Sequence, residues 1–229
     1  MKTKIYNLII IDESGSMNYI KQAAIDNVNE TIQTIRAAQN DHEEQEHYVS
    51  LVTFNDEVKT IYECEPVEQV EELTSETYCP DCMTALYDAM GISLNVLRKH
   101  VADDDKVVVT VVTDGLENAS REYHCNSIKA LVEELKEKDW VFAYIGANHD
   151  VKAAADAISI ANTLCFEATG EGTEKMGAVC DAARKRLFDR IAHSCFSAKE
   201  ANENFFDKEL DGYSVADDNK GFFDDELGF

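Results

Sequence analysis

Ile5-Tyr6-Asn7-Leu8-Ile9-Ile10-Ile11 leads directly into Asp12-Glu13-Ser14-Gly15-Ser16, and this segment gives the main indication of the fold. The apolar run predicts a short buried strand. Its carboxyl end then delivers one carboxylate and two hydroxyls, on a turn that Gly15 keeps open. In doubly wound α/β sheets, ligands bind outside the carboxyl ends of the strands, where the strand order reverses. We therefore expect this loop to hold a divalent cation.

The composition indicates one globular domain with a strongly acidic surface. The chain has 229 residues, of which 45% are hydrophobic and 29% charged, enough to bury one sizeable core. Its 21 basic and 45 acidic residues give a formal charge of −24, which repels nucleic acid and anionic membranes. We therefore expect neither nucleic acid nor a membrane as a partner.

Three further features of the sequence predict a cytoplasmic location. No signal-peptide pattern precedes the first strand. No apolar run approaches the roughly 20 residues that a membrane span requires. The seven cysteines are an odd, scattered set without a disulfide framework, which is typical of a reducing compartment.

Strands and helices alternate along the rest of the chain. The β-branched run in 106–113 is too continuous for a half-exposed strand, which places it in the centre of the sheet. The Asn55-Asp56 turn predicts a hairpin, with one antiparallel strand at the sheet edge. The alternation predicts an α/β fold with a mostly parallel sheet. After the first strand, strands are predicted at 47–54, 58–62, 106–113, 140–145 and 163–166, and helices at 18–38, 66–73, 84–101, 127–138, 151–158 and 173–192.

The chain is expected to comprise a domain over residues 1–194 and an acidic, aromatic-containing tail over 195–229. Residues 203–229 hold nine acidic and two basic side chains, together with two Phe-Phe pairs. Such a segment is either a loosely ordered tail or a docking element. In the second case Asp224, Asp225 or Glu226 would supply a carboxylate to the same or a neighbouring molecule, which gives self-association.

Two more oxygen-bearing residues stand at the ends of predicted elements. Thr84 begins a predicted helix, and Asp114 follows the central strand. With Asp12, Ser14 and Ser16 they form a set of oxygen groups with two charges, which suits Mg²⁺ or Mn²⁺ better than zinc. Each residue alone also has a structural interpretation, as a helix cap or a turn residue. Their common position beside one switch point favours a metal site.

The three parts of this set resemble the metal-ion-dependent adhesion site of von Willebrand factor A domains. They are Asp12-Glu13-Ser14-Gly15-Ser16, Met83-Thr84-Ala85-Leu86 and Val112-Thr113-Asp114-Gly115, and they occur in the order of the family. The resemblance covers roughly residues 4 to 192. It implies a Rossmann-like, doubly wound, six-stranded sheet with helices on both faces. The stretch 113–120, with Ile145-Gly146-Ala147-Asn148, is similar to small stand-alone bacterial members.

The resemblance also implies a function. Mg²⁺ would be bound through Asp12, Ser14, Ser16, Thr84 and Asp114, and an acidic side chain of a protein partner would complete its coordination. We therefore expect a binding module and no enzyme, since no P-loop, nucleophile elbow or HExxH motif is present. The alternatives are a metal-dependent hydrolase with Asp12 as nucleophile, which the hydroxyl ligands disfavour, and self-association through the tail.

Four other features have weaker interpretations. Glu13 is expected to point away from the metal, as a surface carboxylate or a partner contact. Glu117 and Asn118 either line the rim of the site or are solvated. The Cys79-x-x-Cys82 pair is expected to be two free thiols rather than half of a zinc site or a redox pair. His47 is expected at the surface.

Overall fold

Six strands form one sheet in the order β3-β2-β1-β4-β5-β6 in the computed structural model, which describes residues 2–147 and 150–206. Every neighbouring pair is parallel except β2 and β3, so the antiparallel strand lies at the edge as predicted. The strands are β1 Thr3–Asp12, β2 Gln45–Phe54, β3 Val58–Pro66, β4 Lys106–Thr113, β5 Trp140–Gly146 and β6 Thr163–Cys165.

Helices cover both faces of the sheet. Alternate residues of β1 point to opposite faces. Ile9 and Ile11 pack into one apolar cluster with α1 and α5, and Leu8 and Ile10 pack into the other with α2 and α3. The predicted doubly wound, Rossmann-like α/β fold is thereby confirmed. The helices are α1 Lys21–Asp41, α2 Leu86–Leu97, α3 Cys125–Lys136, α4 Val151–Ala157, α5 Gly170–Ala192 and α6 Ala198–Asn204.

The strand order reverses between β1 and β4. The chain leaves β1 toward β2 on one side, and later returns to form β4 on the other side of β1. Ile9 of β1 is paired with Leu51 of β2 and with Thr110 of β4, so both neighbours run parallel to it. The crevice at the carboxyl ends of β1 and β4 is therefore the switch point of this sheet.

The prediction of a helix at 66–73 was wrong. Only a 3-10 turn, Val67–Gln69, forms there. Side chains of α1 satisfy the extended backbone instead: the Asn29 amide exchanges two hydrogen bonds with the Leu73 backbone, and Arg36 donates to the Val70 carbonyl at 2.8 Å. Because these partners come from α1, the segment buries its apolar residues without forming a helix.

Helix starts also differ from the prediction: α3 and α5 begin two and three residues earlier than predicted, and the two helices beside the candidate ligands begin later. A 3-10 helix, Gly15–Ile20, precedes α1, which begins at Lys21 and not near residue 18. Helix α2 begins at Leu86, and its N-cap residue is Ala85 and not Thr84. The loops that carry Ser16 and Thr84 therefore extend further than hydrophobic periodicity indicates.

Helix α6 lies within the segment assigned to the tail. Its Ala198 and Ala201, together with Phe205, pack against β4, β5 and α5. The Asn202 side chain accepts from the Phe142 amide at 3.0 Å and donates to the Trp140 carbonyl at 2.8 Å, so it satisfies the backbone of β5. Residues 207–229, including the proposed ligands Asp224, Asp225 and Glu226, lie outside the described residues. The boundary at residue 194 stays a prediction.

In the part of the chain that the structure describes, no helix has both the length and the apolar character that crossing a bilayer demands.

Candidate metal centre

The five predicted ligands lie on three loops at the carboxyl edge of the sheet. Asp12 is the last residue of β1, and Asp114 directly follows β4. Ser14 is the N-cap of the 3-10 helix that follows β1, Ser16 is the second residue of that helix, and Thr84 precedes α2. Asp12, Ser14, Thr84 and Asp114 are buried, whereas Ser16 is exposed. The structure therefore brings together the residues that the sequence had placed on separate loops.

Hydrogen bonds connect the first and third of these loops. The Ser16 hydroxyl donates to Asp114 Oδ1 at 2.6 Å, and it lies 3.2 Å from the Ser14 hydroxyl oxygen. The Asp12 carboxylate accepts from the Ser14 amide at 2.7 Å and from the Thr113 hydroxyl at 2.5 Å. The two carboxylates thus belong to one polar network, although they are 102 residues apart in the sequence.

Gly115 leaves space at the centre of the network. A Cβ atom at this position would lie 3.4 Å from Thr84 Oγ1 and 4.0 Å from both Asp12 Oδ2 and Ser16 Oγ. Side-chain oxygens from two of the three loops therefore lie around the same point, Asp12 and Ser16 from the first loop and Thr84 from the second. A ring of oxygen atoms around a space that lacks a side chain fits a small hard cation.

The charge on Asp12 is destabilised in the protein alone. Burial raises its pKa from 3.8 to about 6, with the nearby Asp114 adding to the shift, while hydrogen bonds from Thr113 and Ser14 oppose it. Within residues 2–147 and 150–206, no hydrogen bond or ion pair reaches either carboxylate from a Lys, Arg or His side chain. A divalent cation would supply the missing positive charge.

Asn118 holds Thr84 in place. Its side-chain oxygen accepts from the Thr84 backbone amide at 2.9 Å, and its backbone amide donates to the Thr84 carbonyl at 3.0 Å. On the other side, the Ala85 amide donates to the Asn55 carbonyl at 2.7 Å. Because Ala85 is the N-cap, helix capping does not account for Thr84. Asn118 is exposed, which agrees with a rim or solvated residue, and it also positions a predicted ligand.

Glu117 and the neighbouring Asp88 fold the loop that follows Asp114. The Glu117 carboxylate accepts from the amides of Tyr87, Ala119 and Ser120 at 2.7–2.9 Å. The buried Asp88 carboxylate accepts from three consecutive amides, at 121–123, at 2.7–2.9 Å. Both carboxylates are committed to backbone amides, so the half-buried Glu117 is more than a solvated loop residue; its place on the rim of the site stays a prediction.

Glu13 anchors the loop that contains Cys79 and Cys82. It is buried, and its carboxylate accepts from the Cys79 amide at 2.5 Å while its carbonyl accepts from the Asp81 amide at 2.9 Å. The Gly15 amide donates to the Cys82 carbonyl at 3.1 Å. The prediction of a surface carboxylate was therefore wrong: Glu13 fastens the loop before Thr84 to the loop after β1.

Zinc and thiol alternatives lack support in the described residues. Cys79 and Cys82 are free and exposed, and residues 2–147 and 150–206 contain no cluster of three or more His, Cys, Asp or Glu side chains that could hold a metal. His47, predicted at the surface, is fully buried between Gln45 and Phe188. The metal hypothesis therefore depends on the mixed carboxylate and hydroxyl set alone.

Sequence reasoning missed Asn118, Glu117, Asp88 and Glu13 as positioning residues because their bonds join segments that are distant in the chain. Asn118 lies 34 residues from Thr84, and Glu13 lies 66 residues from Cys79. Hydrophobic periodicity carries no information about such pairs. The one available signal was the density of polar residues after Asp114.

Several solved structures share the fold of this chain. It is similar to the ArnB paralog VWA2 from Sulfolobus acidocaldarius, with 18% identity and a TM-score of 0.53 over 78% of this chain and 44% of that one. It is similar to a mutant of the PilB minor pilin from Streptococcus sanguinis, with 14% identity and a TM-score of 0.58 over 86% and 64%. It is also similar to the vWF domain of the type V pili tip protein Mfa5 from Porphyromonas gingivalis, with 10% identity and a TM-score of 0.52 over 85% of this chain and 95% of that one.

The chain spans less than half the length of VWA2 and of other solved structures that it resembles. At these identities the likeness shows the fold alone. No curated protein matches the chain.

A family model gives the clearest assignment. The model of the von Willebrand factor type A domain matches residues 8–179, a range that includes all five candidate ligands. Domains of this family often mediate protein interactions, are generally not enzymes, and often bind a divalent metal at the corresponding site. The chain belongs to the von Willebrand factor type A domain family.

Proposed function

We propose that this protein is a metal-dependent binding module, in which Mg²⁺ or Mn²⁺ at the carboxyl edge of the sheet binds a carboxylate of a protein partner. Asp12, Ser14, Ser16, Thr84 and Asp114 would hold the ion. The observation that carries the proposal is the convergence of Thr84 Oγ1, Asp12 Oδ2 and Ser16 Oγ around the space beside Gly115.

The composition of the ligand set supports recruitment of an external carboxylate. Two carboxylates formally balance a divalent ion, and the three hydroxyls add oxygen without charge. Mg²⁺ takes about six oxygen ligands, so a position remains for water or for an incoming group. A third carboxylate from the protein itself would repel an acidic side chain of the partner. This set has only two, so the partner can supply the third carboxylate.

The surface around the site supports a protein as the partner. Three large hydrophobic side chains are exposed in the described part of the chain: Tyr19 at 92%, Met83 at 51% and Leu116 at 59%. Each lies within three residues of a candidate ligand. A single exposed apolar residue is ordinary, but a set confined to the loops of one site is typical of an interaction surface.

The seven cysteines are free, which supports a reducing compartment and hence the cytoplasm as the place of action. Likeness to small stand-alone bacterial members remains part of the proposal. The hydrolase alternative gains no support, because the buried carboxylates beside the site are committed to backbone amides. Self-association through residues 207–229 stays a prediction.

A capture experiment tests this function. The full chain, its Asp12→Asn variant and its Asp103→Asn variant are immobilised and exposed to a cell extract in Mg²⁺ or in EDTA. Asp103 is exposed in the turn before β4, at the opposite edge of the sheet, so its variant controls for the loss of one charge.

We expect the wild type and Asp103→Asn to retain the same protein in Mg²⁺ and release it in EDTA, and Asp12→Asn to retain nothing. Retention that ignores both EDTA and Asp12→Asn would refute metal-dependent binding. Mg²⁺-dependent hydrolysis by the purified chain that requires Asp12 would favour the enzyme instead.

A further inference from the structure

A groove of about 490 Å³ lies beside the candidate metal site, between the first turns of α1 and the first turns of α5. Tyr19 and Ile20, at the end of the 3-10 helix, form one end of it. Asp26, Asn27 and Glu30 of α1 line the groove, together with Thr173 and Glu174 of α5. Tyr19 is three residues from Ser16, so the groove adjoins the loop that carries two candidate ligands.

The groove has a negative charge that the protein does not neutralise. Asp26, Glu30 and Glu174 line it and are exposed, and no Lys or Arg is among the lining residues. The nearest lysines in the sequence are engaged elsewhere: Lys21 donates to the Ser75 carbonyl at 2.9 Å, and Lys175 pairs with Glu171 at 2.7 Å. In the described ranges, none of the three lining carboxylates forms an ion pair.

Asn27 gives an independent indication of a ligand. This residue is only 8% exposed and lines the groove, yet its side-chain amide forms no hydrogen bond with the residues that the structure describes. A Cβ on Gly177 would come within 2.3 Å of Asn27 Nδ2, so the absence of a side chain there leaves room for the amide. Asn27 is not among the fully enclosed, unpaired polar side chains of the described residues, so water reaches its amide, and a polar group of a ligand in the groove would take the place of that water.

Tyr19 narrows the chemistry of that ligand. Its side chain is 92% exposed at the mouth of the groove. An aromatic face attracts cations, and a planar guanidinium both stacks on such a ring and presents five N–H donors to surrounding oxygen atoms. The combination of three carboxylates, one amide and one ring suits Arg better than Lys.

We propose that this groove binds an arginine side chain of the protein partner. Such a contact addresses an electrostatic difficulty of the metal site: a chain with a formal charge of −24 repels a partner that offers a carboxylate. An arginine near that carboxylate in the partner offsets the repulsion and fixes the orientation of the complex. That one partner occupies both sites rests on the proposed function; the binding of arginine by the groove does not.

The test uses N-acetyl-arginine amide, which carries the guanidinium but no carboxylate and therefore cannot occupy the metal site. The full-length protein is titrated in EDTA, and amide and side-chain resonances are followed by NMR. N-acetyl-citrulline amide, which has nearly the same shape and no charge, is the matched ligand control. The protein variants are Glu30→Gln/Glu174→Gln, Tyr19→Leu and, as a charge-matched control, Asp103→Asn/Asp104→Asn.

We expect saturable shifts at the Asn27 side-chain amide with the arginine probe and none with the citrulline probe. The double groove variant is expected to weaken binding roughly fivefold or more and Tyr19→Leu about threefold, whereas the control variant leaves it unchanged. Equal shifts with both probes, no shift at Asn27, or unchanged affinity in Glu30→Gln/Glu174→Gln would overturn the proposal. Because the titration is done in EDTA, such a result concerns arginine binding by the groove only. Failure of the groove can therefore be told apart from failure of metal binding.

Discussion

Substitution of Asp12 by Asn should stabilise the metal-free protein at neutral pH. Burial raises the pKa of Asp12 from 3.8 to about 6. A shift of about 2 pKa units corresponds to about 3 kcal/mol by which the ionised carboxylate destabilises the folded state relative to the unfolded chain. The pKa is higher in the folded state, so this cost is absent below pH 3.8 and complete above about pH 6.

The Asn side chain removes that charge but keeps nearly the same shape. It has one oxygen in place of two, so one of the bonds from the Ser14 amide and the Thr113 hydroxyl must change, at about 1–2 kcal/mol. The net expectation is therefore that Asp12→Asn raises the free energy of unfolding by about 1–2 kcal/mol in EDTA at pH 8. At pH 4 the advantage should vanish or reverse.

Urea denaturation of the wild type and variant in EDTA, at pH 8 and pH 4, measures this difference. Asp103→Asn is the control, since an exposed substitution should change stability by less than about 0.5 kcal/mol. Addition of Mg²⁺ at pH 8 should stabilise the wild type and leave Asp12→Asn unchanged, by the linkage of binding to folding. An Asp12→Asn protein that is less stable than the wild type in EDTA at pH 8 would show that the buried Asp12 charge does not destabilise the folded state.

Three further outcomes are expected. Asn118→Ala should weaken Mg²⁺ binding by about 10-fold or more in calorimetry, because Asn118 orients Thr84, and an unchanged affinity would assign Asn118 to the loop alone. Gly115→Ala, whose Cβ would lie 3.4 Å from Thr84 Oγ1, should remove the Mg²⁺-induced rise in melting temperature with little effect in EDTA; a retained rise would place the ion elsewhere. Burial lowers the pKa of His47 to about 3, so the unfolded chain takes up a proton at this residue below pH 6.5 while the folded protein does not. The free energy of unfolding should therefore fall by about 2 kcal/mol between pH 6.5 and pH 5. Urea denaturation of the wild type and His47→Phe should show this loss in the wild type only.

The sequence predicts the parts of the fold that depend on local pattern. The apolar run before Asp12 and the β-branched run before Asp114 become the two central strands, and the antiparallel edge strand follows from the Asn55-Asp56 turn. These predictions succeed because a strand buried on both faces has a distinctive composition. The positions of Asp12 and Asp114 at one edge then follow from the parallel arrangement of β1 and β4.

The sequence fails where a distant side chain replaces a local interaction. The segment at 66–73 has a plausible helical pattern, but Asn29 and Arg36 of α1 satisfy its backbone in an extended form. Likewise α6 packs on β5 through Asn202, although its composition is that of a polar tail. Tertiary packing decides which backbone groups the side chains of α1 and α6 satisfy. A window of sequence that covers only one element does not contain that information.

The positioning residues of the site show the same limit. The five candidate ligands can be picked out of the sequence because each follows a recognisable strand or precedes a helix. Asn118 and Glu13 are visible only once the loops are in contact, since their partners are backbone amides of any residue type. Candidate ligands were thus easier to predict than the residues that position them.

Binding of Mn²⁺ can be measured by electron paramagnetic resonance, because the free ion gives a signal that the bound ion loses. If the five candidate ligands hold the ion, the full chain binds one equivalent of Mn²⁺ that Mg²⁺ displaces, and Asp103→Asn binds the same amount. Asp114→Asn, shown to be folded by circular dichroism, loses this site. A wild-type chain that binds no stoichiometric Mn²⁺, or an Asp114→Asn variant that binds it equally well, would show that the ion is not held there.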